Sequence, residues 1–211
     1  MIVLKLIIVL VIAYLLGSIP CGLIIGKLMK GIDIRQYGSG KTGGTNVMRT
    51  TGAKSGIITL LIDGAKAGLA VLLAQVIIGD SSIVLGNISI NWQVAQIMAG
   101  IVAIAGHNWP VFAQFRGGRG VAAYFGTMFI MSPLAAAGGV IVLVILARKT
   151  RHMSTGSIFG AICSWCITLL LTLLYGNPAV YLLYSSLIVL LIIYQHRDNI
   201  RRLRQGTERC L

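Results

Sequence analysis

The sequence predicts an all-α integral membrane protein of about seven transmembrane helices, and three observations carry that expectation. Of 211 residues, 56% are hydrophobic and only 11% are charged, with a mean hydropathy of +0.88; a soluble domain is typically about one quarter charged. The apolar residues come in long runs. The basic residues fall in the short gaps between those runs, which is where positive-inside loops belong.

The runs are about Ile2–Gly26, Ser55–Gly79, Trp92–Gly106, Val121–Ala147, Thr155–Tyr175 and Ala179–Gln195. The first carries one early charge, Lys5, and is longer than a signal-peptide core, so it reads as a retained helix. Residues 27–54 hold six basic residues and one acid, 107–120 hold Arg116 and Arg119, and 148–154 hold Arg148, Lys149 and Arg151. The tail from His196 has five arginines, whereas 80–91 has only Asp80 and 176–178 has no charge. The charge rule therefore puts the first four segments in the cytoplasm and the last two outside. Because 107–120 and 148–154 want the same side, 121–147 must cross twice, and Ser132-Pro133 near its middle offers the turn. That gives seven spans, N-terminus outside and C-terminus cytoplasmic, or six if 121–147 is one kinked span. Each arm of the hairpin would be about 12–14 residues, short for a bilayer core of about 30 Å. No repeat, linker or soluble domain is apparent, and 1–211 reads as one polytopic domain.

Eighteen Lys and Arg against five acids give a formal charge of +13. Aromatic residues are not interleaved with the cations, so no nucleic-acid partner is expected. Cys163 and Cys166 have CxxC spacing but lie in an apolar helix without His or acidic neighbours, and read as packing. The five acids are too few and too scattered for a metal site; neither a metal nor a cofactor is expected.

The polar segments hold the chemistry. Tyr37–Gly52 has five glycines in sixteen residues, with Lys41 and Arg49 and no acid. Convergent N–H groups of such a loop bind anions, phosphate above all. Gly40-Lys41-Thr42 is not a P-loop, because Arg35 stands where that pattern needs Gly and no strand precedes it. Phe115-Arg116-Gly117-Gly118-Arg119-Gly120 repeats the chemistry ahead of a helix N-terminus. Gly17-Ser18-Ile19-Pro20 reads as a kink, with Ser18 answering a carbonyl freed by proline. Asp63 and Lys66 share a helix face below the interface, where a structural ion pair and a substrate contact are equally open readings. His107 before Asn108-Trp109-Pro110 reads as structural with a base as the alternative, and Trp109 and Phe112 read as interfacial anchors. Ser154 or Thr155 could cap a helix, or Ser154 and Ser157 could reach a phosphate. On a terminal helix His196 and Asn199 share a face, and most of the arginines there read as topology signals. There is no His followed five residues later by Asp, the acid–base pair of many lipid acyltransferases.

Gly17-Ser18-Ile19-Pro20, Gly38-Ser39-Gly40 through Thr45-Asn46 and Arg49, Asp63-Gly64-Ala65-Lys66, Gly106 through Pro110, Phe115 through Val121 and His196 through Gly206 occur in an order that resembles the bacterial acyl-phosphate:glycerol-3-phosphate acyltransferases, the PlsY family. The resemblance implies a seven-helix fold in the bacterial inner membrane with a cytoplasmic-facing site. It implies acyl transfer from acyl phosphate to the 1-hydroxyl of sn-glycerol 3-phosphate, giving lysophosphatidic acid in the first committed step of phospholipid synthesis. The partners it implies are those substrates, membrane lipid and PlsX, the soluble enzyme that makes acyl phosphate. Two positions depart from the family's pattern: Lys41 stands where Asn is usual and Arg119 where Lys is usual.

On this reading Arg49 and Arg119 hold glycerol phosphate. Backbone around Ser39, Gly40, Lys41 and Gly43 belongs to the acyl-phosphate side, and Thr45, Asn46, Gly117 and Gly118 are further phosphate-binding candidates. Ser154 or Ser157, His196 and Asn199 hold acyl phosphate, and Asp63, Lys66, His107 and Asn108 support the site. The base is open among His196, His107 and a donor phosphate oxygen. Two alternatives stand beside this reading, a transporter or channel for an organophosphate anion and a lipid enzyme using acyl-CoA or acyl carrier protein.

Overall fold

A computed structural model describes residues 2–85 and 88–210. The secondary structure of the described residues is helical apart from one short hairpin, and the chain divides into two units, 1–131 and 132–211.

In the first unit, α1 (Ile2–Ser18) and α2 (Cys21–Lys30) are separated at Ile19-Pro20, as the proline predicts. Ser18 does not answer a freed carbonyl, however: its hydroxyl is buried and makes no hydrogen bond. The glycine-rich loop leads into α3 (Gly44–Thr51) and the long α4 (Ala53–Ile78). Strands β1 (Ile83–Leu85) and β2 (Ile88–Ile90) then form an antiparallel hairpin, Ile83 opposite Ile90, in a gap read from the sequence only as an acid-bearing loop. Part of that gap, residues 86 and 87, lies outside the described residues. Asn91 caps α5 (Trp92–Asn108) by accepting from the Val94 amide, and α6 (Val121–Met131) closes the unit.

Burial is arranged as it is in a protein dissolved in lipid. Val3, Leu4, Ile7, Leu61 and Val76 point outward, while Thr59, Asp63, Lys66, Gln96 and Thr127 are inside. Polar groups pair across helices there: Gln96 donates to Gln75 at 2.9 Å, joining α5 to α4. Small residues let backbones approach. The α4–α6 crossing places Gly126 so close to the Gly64 carbonyl that no side chain fits between them. Gly64 and Gly68 thus serve helix packing, whereas Gly22 and Gly26 face Thr42 and Ile34 of the glycine-rich segment.

The second unit holds α7 (Pro133–Thr150), α8 (Met153–Tyr175), α9 (Ala179–Gln195) and α10 (Arg197–Arg204). Gly156 and Gly160 of α8 lie against Leu143 and Gly139 of α7. Cys166 is exposed and Cys163 half-buried, so the CxxC pair is not the packing element expected of it.

The 121–147 stretch is two helices, ending at Met131 and restarting at Pro133, and α7 runs on to Thr150. Among the described residues, five helices are long and apolar enough to span a bilayer, Ile2–Lys30, Ala53–Ile78, Trp92–Ala113, Pro133–Thr150 and Met153–Tyr175. Ala179–Gln195 and Arg197–Arg204 meet at a 55° bend and make a sixth only when counted together as one span. The expected seventh, α6, has 11 residues, roughly 17 Å at helical rise and well short of the hydrocarbon core.

Candidate active site

Asn46 organises the glycine-rich loop. Its Nδ2 donates to the carbonyls of Ile34, Tyr37 and Lys41 at 2.9–3.1 Å, and its Oδ1 accepts from the Ser39 amide at 2.8 Å. Asn46 is 2% exposed, so its place is inside the loop, holding the backbone for others. A 3-10 turn, Ile34–Gln36, precedes Gly40-Lys41-Thr42, and the segment is not a P-loop. Asp33 and Arg35 form a two-pronged ion pair there, and the Arg35 hydrogen bonds hold the Asp33 carboxyl below its usual range. Arg35 also donates to the Ala113 carbonyl at 3.1 Å, tying this loop to the segment after α5.

The two glycine loops are joined directly. The Thr42 amide donates to the Gly117 carbonyl at 3.3 Å. Gly117 and Gly118 donate in turn to the carbonyls of Asn108 and His107. A side chain at Gly117 would meet the Pro110 ring and the Asn108 carbonyl, so only glycine fits. Arg119 is half-buried just ahead of α6. Asn108 is 3% exposed, and neither polar atom of its side chain has a hydrogen-bond partner. Arg49, also half-buried, lines an open cavity of about 480 Å³ with Lys30, Ile32, Tyr37, Gly38 and Thr50. Lys30 Nζ donates to the Thr50 carbonyl at 2.7 Å, so two cations border this space and no acid is among the described residues lining it. Asp63 pairs with Lys66 at 2.8 Å, and His107 Nδ1 stands 3.4 Å from the same oxygen.

The second unit carries its own polar cluster. Ser154, Asn199 and Arg202 all donate to Glu208, Ser154 at 3.1 Å and Arg202 at 2.9 Å. Burial pushes the Glu208 carboxyl up, but those three hydrogen bonds outweigh it and hold the group below the usual carboxylate range. Asn199 Oδ1 is buried with no hydrogen-bond partner. His196 Nδ1 lies 2.8 Å from the Ile192 carbonyl; a carbonyl only accepts, so Nδ1 carries the proton and, in the neutral ring, Nε2 the lone pair. Ser157 is buried one turn along α8 from Ser154. The α8 cap is His152, not Ser154 or Thr155, because the helix starts at Met153 and leaves the Ser154 hydroxyl for Glu208.

Glu208 is the residue that reading the sequence missed. Its signal was its rarity: one of five acids in the chain, placed in a tail rich in arginine.

Buried polar clusters and cation-bordered glycine loops in an apolar helical body define a class, an integral membrane protein built to hold phosphorylated molecules. The family is specific: the glycerol-3-phosphate acyltransferase model matches residues 7–206, and the chain belongs to that family. It is an acyltransferase. Among its relatives, glycerol-3-phosphate acyltransferase 3 of Dehalococcoides mccartyi is 44% identical over 211 residues, 100% of this chain and 98% of that one. A glycerol-3-phosphate acyltransferase of Alkaliphilus metalliredigens is 37% identical, over 95% and 93% of the two chains. The crystal structure of PlsY, an integral membrane glycerol 3-phosphate acyltransferase, in its glycerol 3-phosphate form matches with a TM-score of 0.83 at 35% identity, covering 98% of this chain and 95% of that one. Its lysophosphatidic acid form matches with a TM-score of 0.81 at the same identity and coverage. None of these relatives is named as a transporter, and that alternative is set aside.

Proposed function

We propose that the chain transfers a fatty acyl group from acyl phosphate to the 1-hydroxyl of sn-glycerol 3-phosphate, in the bacterial inner membrane and from its cytoplasmic face. The hydroxyl oxygen attacks the acyl carbonyl carbon. The carbon–oxygen bond to phosphate then breaks, phosphate leaves with the electron pair, and the hydroxyl proton passes to a phosphate oxygen. Lysophosphatidate and inorganic phosphate result. PlsX, the soluble enzyme that makes acyl phosphate, is the proposed supplier of the donor.

The observation that carries this reading is the cavity bordered by Lys30 and Arg49, with no acid among the described residues lining it, on a loop whose backbone is preset by Asn46. Two anionic substrates repel one another, and acyl phosphate already has a good leaving group. What the protein must supply is orientation and charge, not a strong acid. Arg49 and Arg119 take the acceptor phosphate; Arg offers paired N–H donors to phosphate oxygens. In the first unit the Ser39–Gly43 backbone serves the donor phosphate; in the second unit Ser154, Ser157, His196 and Asn199 form the other proposed phosphate-binding set, with Glu208 fixing Ser154 and Asn199. A donor phosphate oxygen is the base favoured by the acid-poor sequence.

The test supplies purified protein with palmitoyl phosphate, palmitoyl-CoA or palmitoyl carrier protein and follows glycerol-3-phosphate-dependent lysophosphatidate. Product is expected from palmitoyl phosphate alone. Product from the CoA ester but not the phosphate would overturn the donor assignment. Replacing His107 or His196 by Ala should leave the pH profile of turnover unmoved, and loss of the acidic limb, the fall in rate at low pH, would identify that histidine as the base.

A further inference from the structure

Asp63 is a carboxylate in the middle of a membrane-spanning helix, 2% exposed. A buried ion costs several kcal/mol unless it is paired, and an apolar residue of similar size is often the more stable choice. Lys66, 2.8 Å away on the same helix face, already neutralises the charge. Lys66 Nζ is itself anchored, donating to the Ile19 carbonyl at 2.6 Å where α1 gives way to α2. The third partner, His107 at 3.4 Å from Asp63 Oδ1, is therefore not needed for neutrality. What it gains is a fixed ring orientation.

That orientation has a consequence at Gly118. A Cβ on Gly118 would collide with His107 Nε2, so the far edge of the ring is the wall against which the turn is laid. The His107 carbonyl also accepts the Gly118 amide at 3.0 Å, and the Asn108 carbonyl accepts the Gly117 amide at 3.2 Å. Gly117 passes the position on, through its carbonyl, to the Thr42 amide. A continuous set of contacts thus runs from Lys66 and Asp63 through His107 to both glycine loops.

We propose that Asp63 is a positioning residue of the transfer reaction, acting through His107 to fix the Gly117–Gly118 turn and, beyond it, the loop at Thr42. The kinetic part of this proposal rests on the activity proposed above; the local-order part does not. Hydrogen exchange and kinetics on the whole purified protein in detergent test it with three variants, Asp63→Asn, His107→Leu and His107→Gln. In the first two, exchange across residues 115–121 should quicken and KM for glycerol 3-phosphate should rise, each about tenfold, with little change in kcat. His107→Gln keeps an amide donor toward Asp63 and should recover most of both losses. The pH limbs of the rate should not move. A fall in kcat with a shifted limb and an unchanged KM would make His107 a proton-transfer group instead and overturn the proposal. Uniform acceleration of exchange along α4 and α5, with KM unchanged, would reduce the triad to plain stabilisation and overturn it equally. If the wild-type protein makes no lysophosphatidate, the activity reading fails, while local exchange at 115–121 still decides whether Asp63 sets the turn.

Discussion

Glu208 shows how much one side chain can organise when its partners come from distant parts of the chain. Ser154 belongs to the start of α8 and Asn199 and Arg202 to α10, and the carboxylate receives all three. Because the folded protein holds this carboxyl below the ordinary glutamate value of 4.5, the stabilisation is fully present above that value. It is lost as pH falls through the lower, folded-state value. Thermal unfolding measured between pH 7 and pH 3 should therefore show a loss of stability in wild type that Glu208→Gln largely lacks, the variant starting from a lower midpoint at pH 7. A variant whose midpoint fell in parallel with wild type would remove Glu208 from the account. Asn46 plays the corresponding part in the first unit. There one amide stands in for a stretch of secondary structure by satisfying three carbonyls and one N–H of a loop that has no ladder of its own. Lys41, which departs from the family's usual Asn, enters that set through its carbonyl, so its side chain could change without loss of the loop's main tie.

At the scale of elements, the α4–α6 crossing is set by glycine on both sides, but not equally. At Gly126 an added methyl would strike the Gly64 carbonyl, whereas at Gly64 it would meet the Ala122 carbonyl at 3.3 Å, a contact that a few tenths of an ångström relieve. Gly126→Ala should thus cost about 1–3 kcal/mol, the usual range for overpacking, and Gly64→Ala distinctly less. Melting of the two purified variants in one detergent checks this, and equal losses would contradict it. Helix identity was legible from the sequence because apolar runs of about 20 or more residues have few alternatives. The breaks at Pro20 and Pro133 were legible too, since proline removes a donor and clashes with the preceding turn. Three features were not. The hairpin Ile83–Ile90 is too short for periodicity to distinguish from a loop. The count of long spans is six rather than seven because α6 ends after 11 residues, and five where α9, with 17 residues, is not joined to α10. Choosing site residues by type leaves their division of labour open, because that division depends on tertiary contacts. Asn46 turned inward, and the capping expected of Ser154 gave way to Glu208, which no local spacing connects to it.

Across the whole molecule, the distribution of charge proposes an orientation. The segments around Lys27–Lys54, Arg116–Arg119, Arg148–Arg151 and Arg197–Arg209 hold all of the basic residues except Lys5 near the N-terminus and Lys66 within α4. Residues 80–91 and 176–178 hold no cation at all. Each Lys or Arg near an anionic leaflet gains about 1 kcal/mol, so inverting the chain would forfeit many such terms together, and Lys5 alone offers little in exchange. Two exposed positions report the outcome. Cys210 is a native, exposed thiol in the basic tail, and Ser82 is exposed in the acid-bearing gap. In intact spheroplasts a membrane-impermeant maleimide should label a Ser82→Cys, Cys210→Ser protein at once, and should label Cys210 of the wild type only after the membrane is opened. The reverse pattern would place the glycine-rich loops outside the cell, away from any intracellular supply of acyl phosphate, and would remove the cytoplasmic site together with the orientation.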